Sequence, residues 1–163
     1  MAESTKLDNQ EETEKVEADA NRQDHLTRVQ HIVSAGCDRK AVGILALDVR
    51  NVTSIAETFI IMTGNSPRQV AAIGEGVKEA TKGDKEEPLG IEGLTEGRWL
   101  LFDLNDIIVH VFLPDMRELY DLERLWHDAP RLTLDLPEEA LAAQPSEDEA
   151  AAGEIPVQGV YKV

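Results

Sequence analysis

The chain has 163 residues, a formal net charge of −16 and one cysteine, Cys37. This length favours a single folded domain with terminal segments, and one cysteine excludes an intramolecular disulfide and argues against a cysteine-based zinc site. No apolar run approaches the roughly 20 residues that span a bilayer, and residues 1–23 lack the apolar core of a signal peptide. The sequence therefore predicts a soluble, cytoplasmic protein without membrane association.

The negative charge is concentrated at the two ends of the chain. Residues 1–24 carry eight acids and three bases, and residues 132–163 carry seven acids and one base. Such segments bury too little apolar area to offset the entropy of ordering. We therefore predict an acidic disordered extension at 1–23, a folded domain at 24–131 and a disordered acidic tail at 132–163. An acidic chain repels phosphates, which argues against direct sequence-specific nucleic-acid binding, and it favours a basic protein partner. The tails either attract such a partner or only keep the protein soluble.

Hydrophobic periodicity predicts the first elements of the domain in chain order. Residues 24–35 have helical spacing and end before a glycine, and residues 41–49 and 57–63 have the composition of buried strands. A second helix begins at residues 66–69, Ser-Pro-Arg-Gln, because serine caps a helix, proline suits its first position and glutamine completes a capping box. Residues 88–92 predict a short edge strand.

A β-hairpin is predicted over residues 98–113, with Asn105 and Asp106 as its turn. The resulting register pairs Trp99 with Phe112 and sorts the side chains into two faces. One face is wholly apolar and should pack against helices: Leu100, Phe102, Leu104, Ile107, Val109 and Val111. The other face is mixed and should be at least partly open: Trp99, Leu101, Asp103, Ile108, His110 and Phe112.

A last helix is predicted to begin at Pro114 and to continue through Trp126. Its apolar arc is centred on Leu119, Leu122 and Trp126, and it is wider than one core contact requires, so that part of it can face a partner. Glu123 lies inside this arc, whereas the polar face holds Arg117, Asp121 and Arg124. The order of elements predicts an α/β (α+β) domain with a mixed five-stranded sheet and flanking helices.

Enzyme chemistry has only weak support in the sequence. Residues 64–66, Gly-Asn-Ser, can hold an anion at a helix start beside Arg68, but a capped helix after a turn explains them better. Asp48, Asp103 and Asp106 lie near strand ends, where carboxylates can bind magnesium, yet no strand carries a paired D-x-D or D-x-E motif. Turn roles are favoured for Asp103 and Asp106. The sequence therefore predicts neither a metal nor a cofactor.

His110 is the only histidine inside a predicted strand. A catalytic role would require a nucleophile or an orienting carboxylate within reach, and only Asp103, diagonal to it, qualifies as a partner. A buried, hydrogen-bonded structural histidine is favoured. Aromatic anchors beside carboxylates on rigid elements are instead typical of protein–protein hot spots. The candidate partner-binding residues are Trp99, Asp103, His110, Tyr120, Glu123 and Trp126.

The stretch GRWLLFDLNDIIVHVFLPDMRELYDLERLW, with LALDV and ETFIIMTGNSPRQV before it, resembles the Iojap family, also called ribosomal silencing factor RsfS. The resemblance covers about residues 25–131. It implies a nucleotidyltransferase-like fold without the paired metal carboxylates, and no catalytic activity. It implies binding to the large ribosomal subunit through ribosomal protein fourteen, which blocks docking of the small subunit and lowers translation when nutrients are scarce.

Two further hypotheses remain beside the silencing function. Organelle relatives are tied to large-subunit assembly, so an assembly factor or acidic adaptor is one alternative. A nucleotide-handling enzyme that uses the helix start at Arg68, with Asp103, is the other. A homodimer is neither supported nor excluded by the sequence.

Overall fold

A computed structural model describes residues 3–82 and 88–142. Within these residues the elements follow in the order α1 Glu3–Asp38, β1 Val42–Asp48, β2 Thr58–Thr63, α2 Pro67–Thr81, β3 Gly90–Glu92, β4 Trp99–Asp103, β5 Ile107–Phe112, α3 Pro114–Tyr120, α4 Leu122–Leu125 and α5 Glu138–Ala142. No helix in these ranges is both long and apolar enough to cross a membrane.

The five strands form one mixed sheet in the order β1-β2-β5-β4-β3. Strands β2 and β5 are parallel, and the other neighbouring pairs are antiparallel. The predicted α+β fold is therefore confirmed, and β3 is an edge strand as expected. The hairpin register is also confirmed, since Trp99 pairs with Phe112 and Leu101 pairs with His110.

Helices cover the sheet on both faces. Strand β2 is buried at every position, with Ile60 and Met62 in the cluster that α1 and α2 complete, and Phe59 and Ile61 in the opposite cluster. The first cluster is almost wholly aliphatic and includes the apolar hairpin face, whose six residues are each at most 1% exposed. Alternating side chains of one strand thus serve two cores, which explains why residues 57–63 lack a polar face.

Helix α2 begins as its sequence predicts. The Ser66 hydroxyl accepts a hydrogen bond from the Gln69 N–H at 3.1 Å, and Pro67 occupies the first turn. The Gln69 side chain accepts from the Asn65 N–H at 2.7 Å and donates to the Lys40 carbonyl at 2.9 Å. The capping glutamine therefore also joins α2 to the loop that precedes β1.

Both predicted boundaries of the folded domain differ from the structure. Helix α1 begins at Glu3, so most of the expected N-terminal extension is helical, and residues 6–21 are exposed along their length. Glutamate, lysine, glutamine and alanine are good helix formers, and the segment continues from a helix that is already packed.

At the other end, residues beyond Arg131 are part of the fold. The Leu132 N–H donates to the Ala46 carbonyl at 2.8 Å, and Leu132, Leu134 and Leu136 contact the aliphatic core. The segment therefore pairs with the outer edge of β1 through an antiparallel bridge between Leu47 and Arg131, a contact that the acidic composition concealed. The rest of the predicted tail, residues 143–163, lies outside the described residues.

Candidate functional site

The predicted final helix is interrupted at Asp121, so its treatment as one helix was wrong. Asp121 adopts the left-handed conformation (φ 42°, ψ 56°) and separates α3 from α4. Aspartate tolerates this conformation better than most residues. Burial, with the neighbouring Glu123 carboxylate, raises the pKa of Asp121. A left-handed residue between the two helices ends their common periodicity, so the single apolar arc predicted for residues 114–126 does not hold.

Arg117, which was predicted to lie on the polar face of the helix, points inward instead. Arg117 Nε donates to Glu123 Oε1 at 2.7 Å, and its Nη1 donates to Thr63 Oγ1 at 2.8 Å and to the Gly43 carbonyl. Gly43 lies in the irregular part of β1 with φ +56°, and a Cβ there would lie 2.6 Å from Arg117 Nη1. Glycine is therefore required both by the backbone and by the space that the guanidinium fills. Arg117 joins α3, α4 and the ends of β1 and β2.

Five aromatic rings and one imidazole form a connected cluster on the sheet face below α3 and α4. Trp99 contacts Tyr120 with ring centroids 4.4 Å apart and stacks on Phe112 at 5.1 Å. Phe59 makes edge contacts with Trp126 at 5.4 Å and with His110 at 5.8 Å. We call this group the aromatic face; its members are Phe59, Trp99, His110, Phe112, Tyr120 and Trp126.

The aromatic face is closed at its base and half-open at its outer side. Phe59 and Phe112 are buried, whereas Trp99, Tyr120 and Trp126 are partly exposed. Tryptophan and tyrosine in such positions combine a fixed geometry with accessible contact area. The structure thus brings together four of the six predicted site residues, namely Trp99, His110, Tyr120 and Trp126.

His110 is 6% exposed, and its Nδ1 accepts a hydrogen bond from Trp99 Nε1 at 3.2 Å. Burial lowers its pKa to about 4, so the imidazole is neutral near pH 7. The alternative pairing with Asp103 is not formed, because Asp103 Oδ1 accepts from the Asn105 N–H at 3.0 Å within the turn. This contact agrees with the turn role favoured for Asp103.

The remaining predicted site residue, Glu123, is engaged within the chain. Its carboxylate lies 2.6 Å from Arg117 Nη2, and the two side chains are 25% and 17% exposed. The carboxylate inside the predicted apolar arc therefore neutralises a half-buried arginine. Asp103 lies apart from the aromatic face, at the tip of the hairpin.

Two leucines of α3 and α4 are exposed, although the first of them, Leu119, was placed at the centre of the predicted apolar arc. Leu119 is 52% exposed and Leu125 is 48% exposed. Met116, Tyr120, Leu122 and Trp126 instead supply the contacts of α3 and α4 with the sheet. Each of the two helices thus has contacting and exposed apolar residues, and the width of the predicted arc was the sequence signal for the exposed ones.

A polar network at the β4–β5 turn was missed by sequence analysis. Asp106 accepts hydrogen bonds from His25 Nδ1 and from both terminal nitrogens of Arg28, each at 2.9 Å. Burial opposes ionisation of Asp106, but the bonds from His25 and Arg28 outweigh it and lower its pKa. His25 Nε2 lies 2.7 Å from Thr58 Oγ1. This network fastens α1 to the sheet.

The Asp106–His25–Thr58 chain has the connectivity of a catalytic triad but not its accessibility. Thr58 is 0% exposed and His25 is 4% exposed, so no substrate reaches the hydroxyl. Across residues 3–82 and 88–142, no group of three or more histidine, cysteine or acidic side chains has a metal-binding arrangement. Arg68, the cation of the proposed anion site, is exposed beside the helix start. The aromatic face is therefore the stronger candidate site.

Comparison with known proteins identifies the class of protein that has this fold. Residues 10–157 match the family described as "Ribosomal silencing factor during starvation". The Bacillus subtilis ribosomal silencing factor RsfS is 44% identical over 105 residues, which are 64% of this chain and 89% of that protein. The chain belongs to the ribosomal silencing factor family, so the resemblance found in its sequence is confirmed.

A solved structure and a more distant relative agree with this assignment. A crystal structure of a Chromobacterium violaceum protein has a TM-score of 0.61 and 36% identity, covering 63% of this chain and 85% of that one. A mouse protein named "Mitochondrial assembly of ribosomal large subunit protein 1" is 30% identical over 101 residues, 60% of this chain and 44% of the mouse protein. The family name describes a regulatory factor rather than an enzyme.

Proposed function

We propose that this chain is a ribosomal silencing factor that binds the large ribosomal subunit through ribosomal protein fourteen and blocks association with the small subunit. Translation then falls when nutrients are limiting. The action is steric, in the cytoplasm, and needs no covalent step, metal or cofactor. Family membership supports the general function, and the half-open aromatic face is the observation that supports this docking site.

The chemistry of the aromatic face fits a folded protein partner. Half-exposed Trp99, Tyr120 and Trp126 provide large apolar contact areas whose positions are fixed by packing. Leu119 and Leu125 extend the apolar area along α3 and α4. Such residues resemble the centre of an interface, where apolar anchors exclude water.

The charges around the aromatic face favour a basic partner. Residues 114–128 contain five acids and two arginines, a net charge of −3, within a chain of net charge −16. Proteins that lie among ribosomal RNA tend to be basic, so opposite charges would steer the encounter. Among the six candidate residues, Asp103 lies apart from the aromatic face and contributes to this long-range attraction rather than to the contact itself. Glu123 acts by holding Arg117 and thereby α4.

Co-sedimentation with purified large ribosomal subunits tests this proposal. Tyr120→Ala removes a ring that contacts Trp99, and we expect it to weaken binding at least tenfold, as loss of a central anchor does. His31→Ala, an exposed residue of α1, is the control and should bind like the wild type. Near-ultraviolet circular dichroism checks that both variants are folded. Equal binding by wild type and a folded Tyr120→Ala variant would contradict the assigned surface.

A large-subunit assembly factor is the second candidate function. The name of the mouse relative supports it, since that protein is named for assembly of the ribosomal large subunit. The same surface could serve both roles. Depletion of the protein would distinguish them, because an assembly factor would leave immature large subunits, whereas a silencing factor would leave mature subunits that join freely under starvation.

A further inference from the structure

The aromatic face contains one polar ring whose presence packing alone does not explain. The imidazole of His110 is parallel to Phe112 within 4°, with centroids 5.7 Å apart, and it also stacks against Trp99 at 6.0 Å. Its strand neighbours Val109 and Val111 are completely buried aliphatic residues. A phenylalanine would fill the same space without the desolvation cost of a polar group. The position therefore calls for a role for the ring nitrogens.

One ring nitrogen has a defined role inside the protein. The Trp99 indole N–H donates to His110 Nδ1 at 3.2 Å, so Nδ1 carries a lone pair and no proton. Burial keeps the pKa of His110 near 4, and the ring is neutral at physiological pH. A neutral imidazole with an unprotonated Nδ1 must carry its proton on Nε2. Trp99 thereby selects the tautomer that presents Nε2–H.

The Nε2–H group has no acceptor among the residues that the structure describes. Among those residues, Trp99 supplies the one hydrogen bond that the His110 side chain makes. Among the described residues, one side-chain nitrogen, Arg22 Nη1, is both fully enclosed and without a hydrogen-bond partner, and His110 Nε2 is not such an atom. His110 Nε2 is therefore not fully enclosed. Because the imidazole lies among the rings of Phe59, Trp99 and Phe112, this access lies within the aromatic face. A donor of fixed orientation thus lies among rings that also include the Tyr120 hydroxyl and the Trp126 indole N–H.

We propose that His110 determines the specificity of the aromatic face by donating its Nε2–H hydrogen bond to an oxygen of the docked protein partner, a backbone carbonyl or a hydroxyl. This inference rests on the proposed function and deepens it. Apolar rings accept many partners, but a donor that becomes buried without an acceptor loses its hydrogen bond to water and weakens the complex. A partner with an oxygen at this point is accepted, and one with a methyl group or a lysine is rejected.

The first test measures the tautomer in the free protein. Nitrogen-15 chemical shifts of the histidine rings distinguish a proton on Nε2 from one on Nδ1, and the Trp99 indole N–H resonance reports its hydrogen bond. We expect the His110 proton on Nε2 between pH 6 and 8. A proton on Nδ1 would overturn the proposal without touching the proposed function.

The second test measures affinity for large ribosomal subunits purified from Bacillus subtilis. His110→Phe keeps a ring in the cluster but removes the donor, and we expect binding about tenfold weaker than that of the wild type. His110→Gln keeps an N–H donor of comparable reach and should bind within about threefold of the wild type. A purely structural histidine would not produce this order, because phenylalanine suits the aromatic packing better than glutamine.

Three results would count against the inference, and they are distinguishable. If His110→Phe binds within twofold of the wild type, His110 is a core residue and the aromatic face binds without it. If His110→Gln weakens binding as much as His110→Phe does, the hydrogen-bond donor does not contribute to binding. If the wild type itself does not bind the subunits, the proposed function fails, and this inference fails with it.

Discussion

The two faces of the sheet are packed differently, although both are covered by helices. The face below α1 and α2 is closed and aliphatic except for Phe102, and its hairpin residues are at most 1% exposed. The face below α3 and α4 is aromatic, and three of its rings remain partly exposed. One face is thus specialised for stability, whereas the other combines packing with an accessible surface. Variants on the two faces should therefore separate stability from binding.

The largest stability change should come from the closed face. Phe102→Ala removes a ring that is 1% exposed, and we expect it to lower the free energy of unfolding by about 3–5 kcal/mol through lost burial and a cavity. Trp126→Ala, on the half-open face, should cost less than half as much. Urea denaturation measures both. Similar losses at the two positions would contradict the asymmetry of the faces.

The next largest effect should be a loss of stability at low pH that arises from His110 in the aromatic face. The unfolded chain protonates His110 near its ordinary pKa of 6.5, whereas the folded protein does so only at about 4. Between pH 4 and 6.5 the unfolded state therefore binds more protons than the folded state. As the pH falls from 6.5 to 4, the free energy of unfolding should decrease by about 3 kcal/mol.

His110→Phe provides the comparison for this pH effect. The variant lacks the titrating ring, so its stability should fall less between pH 6.5 and 4 than that of the wild type. Denaturant unfolding at a series of pH values measures the two slopes. Parallel curves for the two proteins would show that burial of His110 does not control this loss.

A smaller change should follow loss of the clamp between α3, α4 and the sheet. Arg117→Met leaves Glu123 without its ion-pair partner and the Gly43 carbonyl without its donor, and we expect a loss of about 2 kcal/mol. Glu123→Gln should cost less, because the amide oxygen still accepts from the guanidinium. A double-mutant cycle on the two residues measures their coupling, and strict additivity would mean that the contact contributes nothing.

The smallest stability change should accompany a clear loss of binding. Leu119→Ser alters a side chain that is 52% exposed, so its unfolding free energy should stay within about 0.5 kcal/mol of the wild type. Binding to the large subunit should nevertheless weaken. Leu94→Ser, at a leucine that is 57% exposed near β3, is the matched control. Equal binding by the two variants would remove Leu119 from the proposed surface.

Features determined by neighbouring residues could be predicted from the sequence. The hairpin register follows from a two-residue turn and alternating side chains. The start of α2 follows from three nearby residues, Ser66, Pro67 and Gln69. The apolar hairpin face and the presence of a second, mixed face also follow from this period-two pattern. Both patterns can be recognised in the sequence because they depend only on residues that are close together in the chain.

Features that depend on distant contacts could not be read in this way. The break at Asp121 is accompanied by bonds from Arg117 to Thr63 and Gly43, which lie 54 and 74 residues away. The bond between His25 and Asp106 joins residues 81 positions apart. The folded segment after Arg131 did carry a local signal, since residues 132–136 alternate leucine with polar residues, but the acidic composition of the tail obscured it.

The most direct test of the central claim is a subunit-joining measurement in a sucrose gradient. Large subunits are incubated with wild-type protein or with Tyr120→Ala, and small subunits are then added. We expect the wild type to travel with the large subunit and to reduce the joined particle, whereas the folded variant should do neither. Undiminished joining with wild-type protein bound to the large subunit would contradict the account.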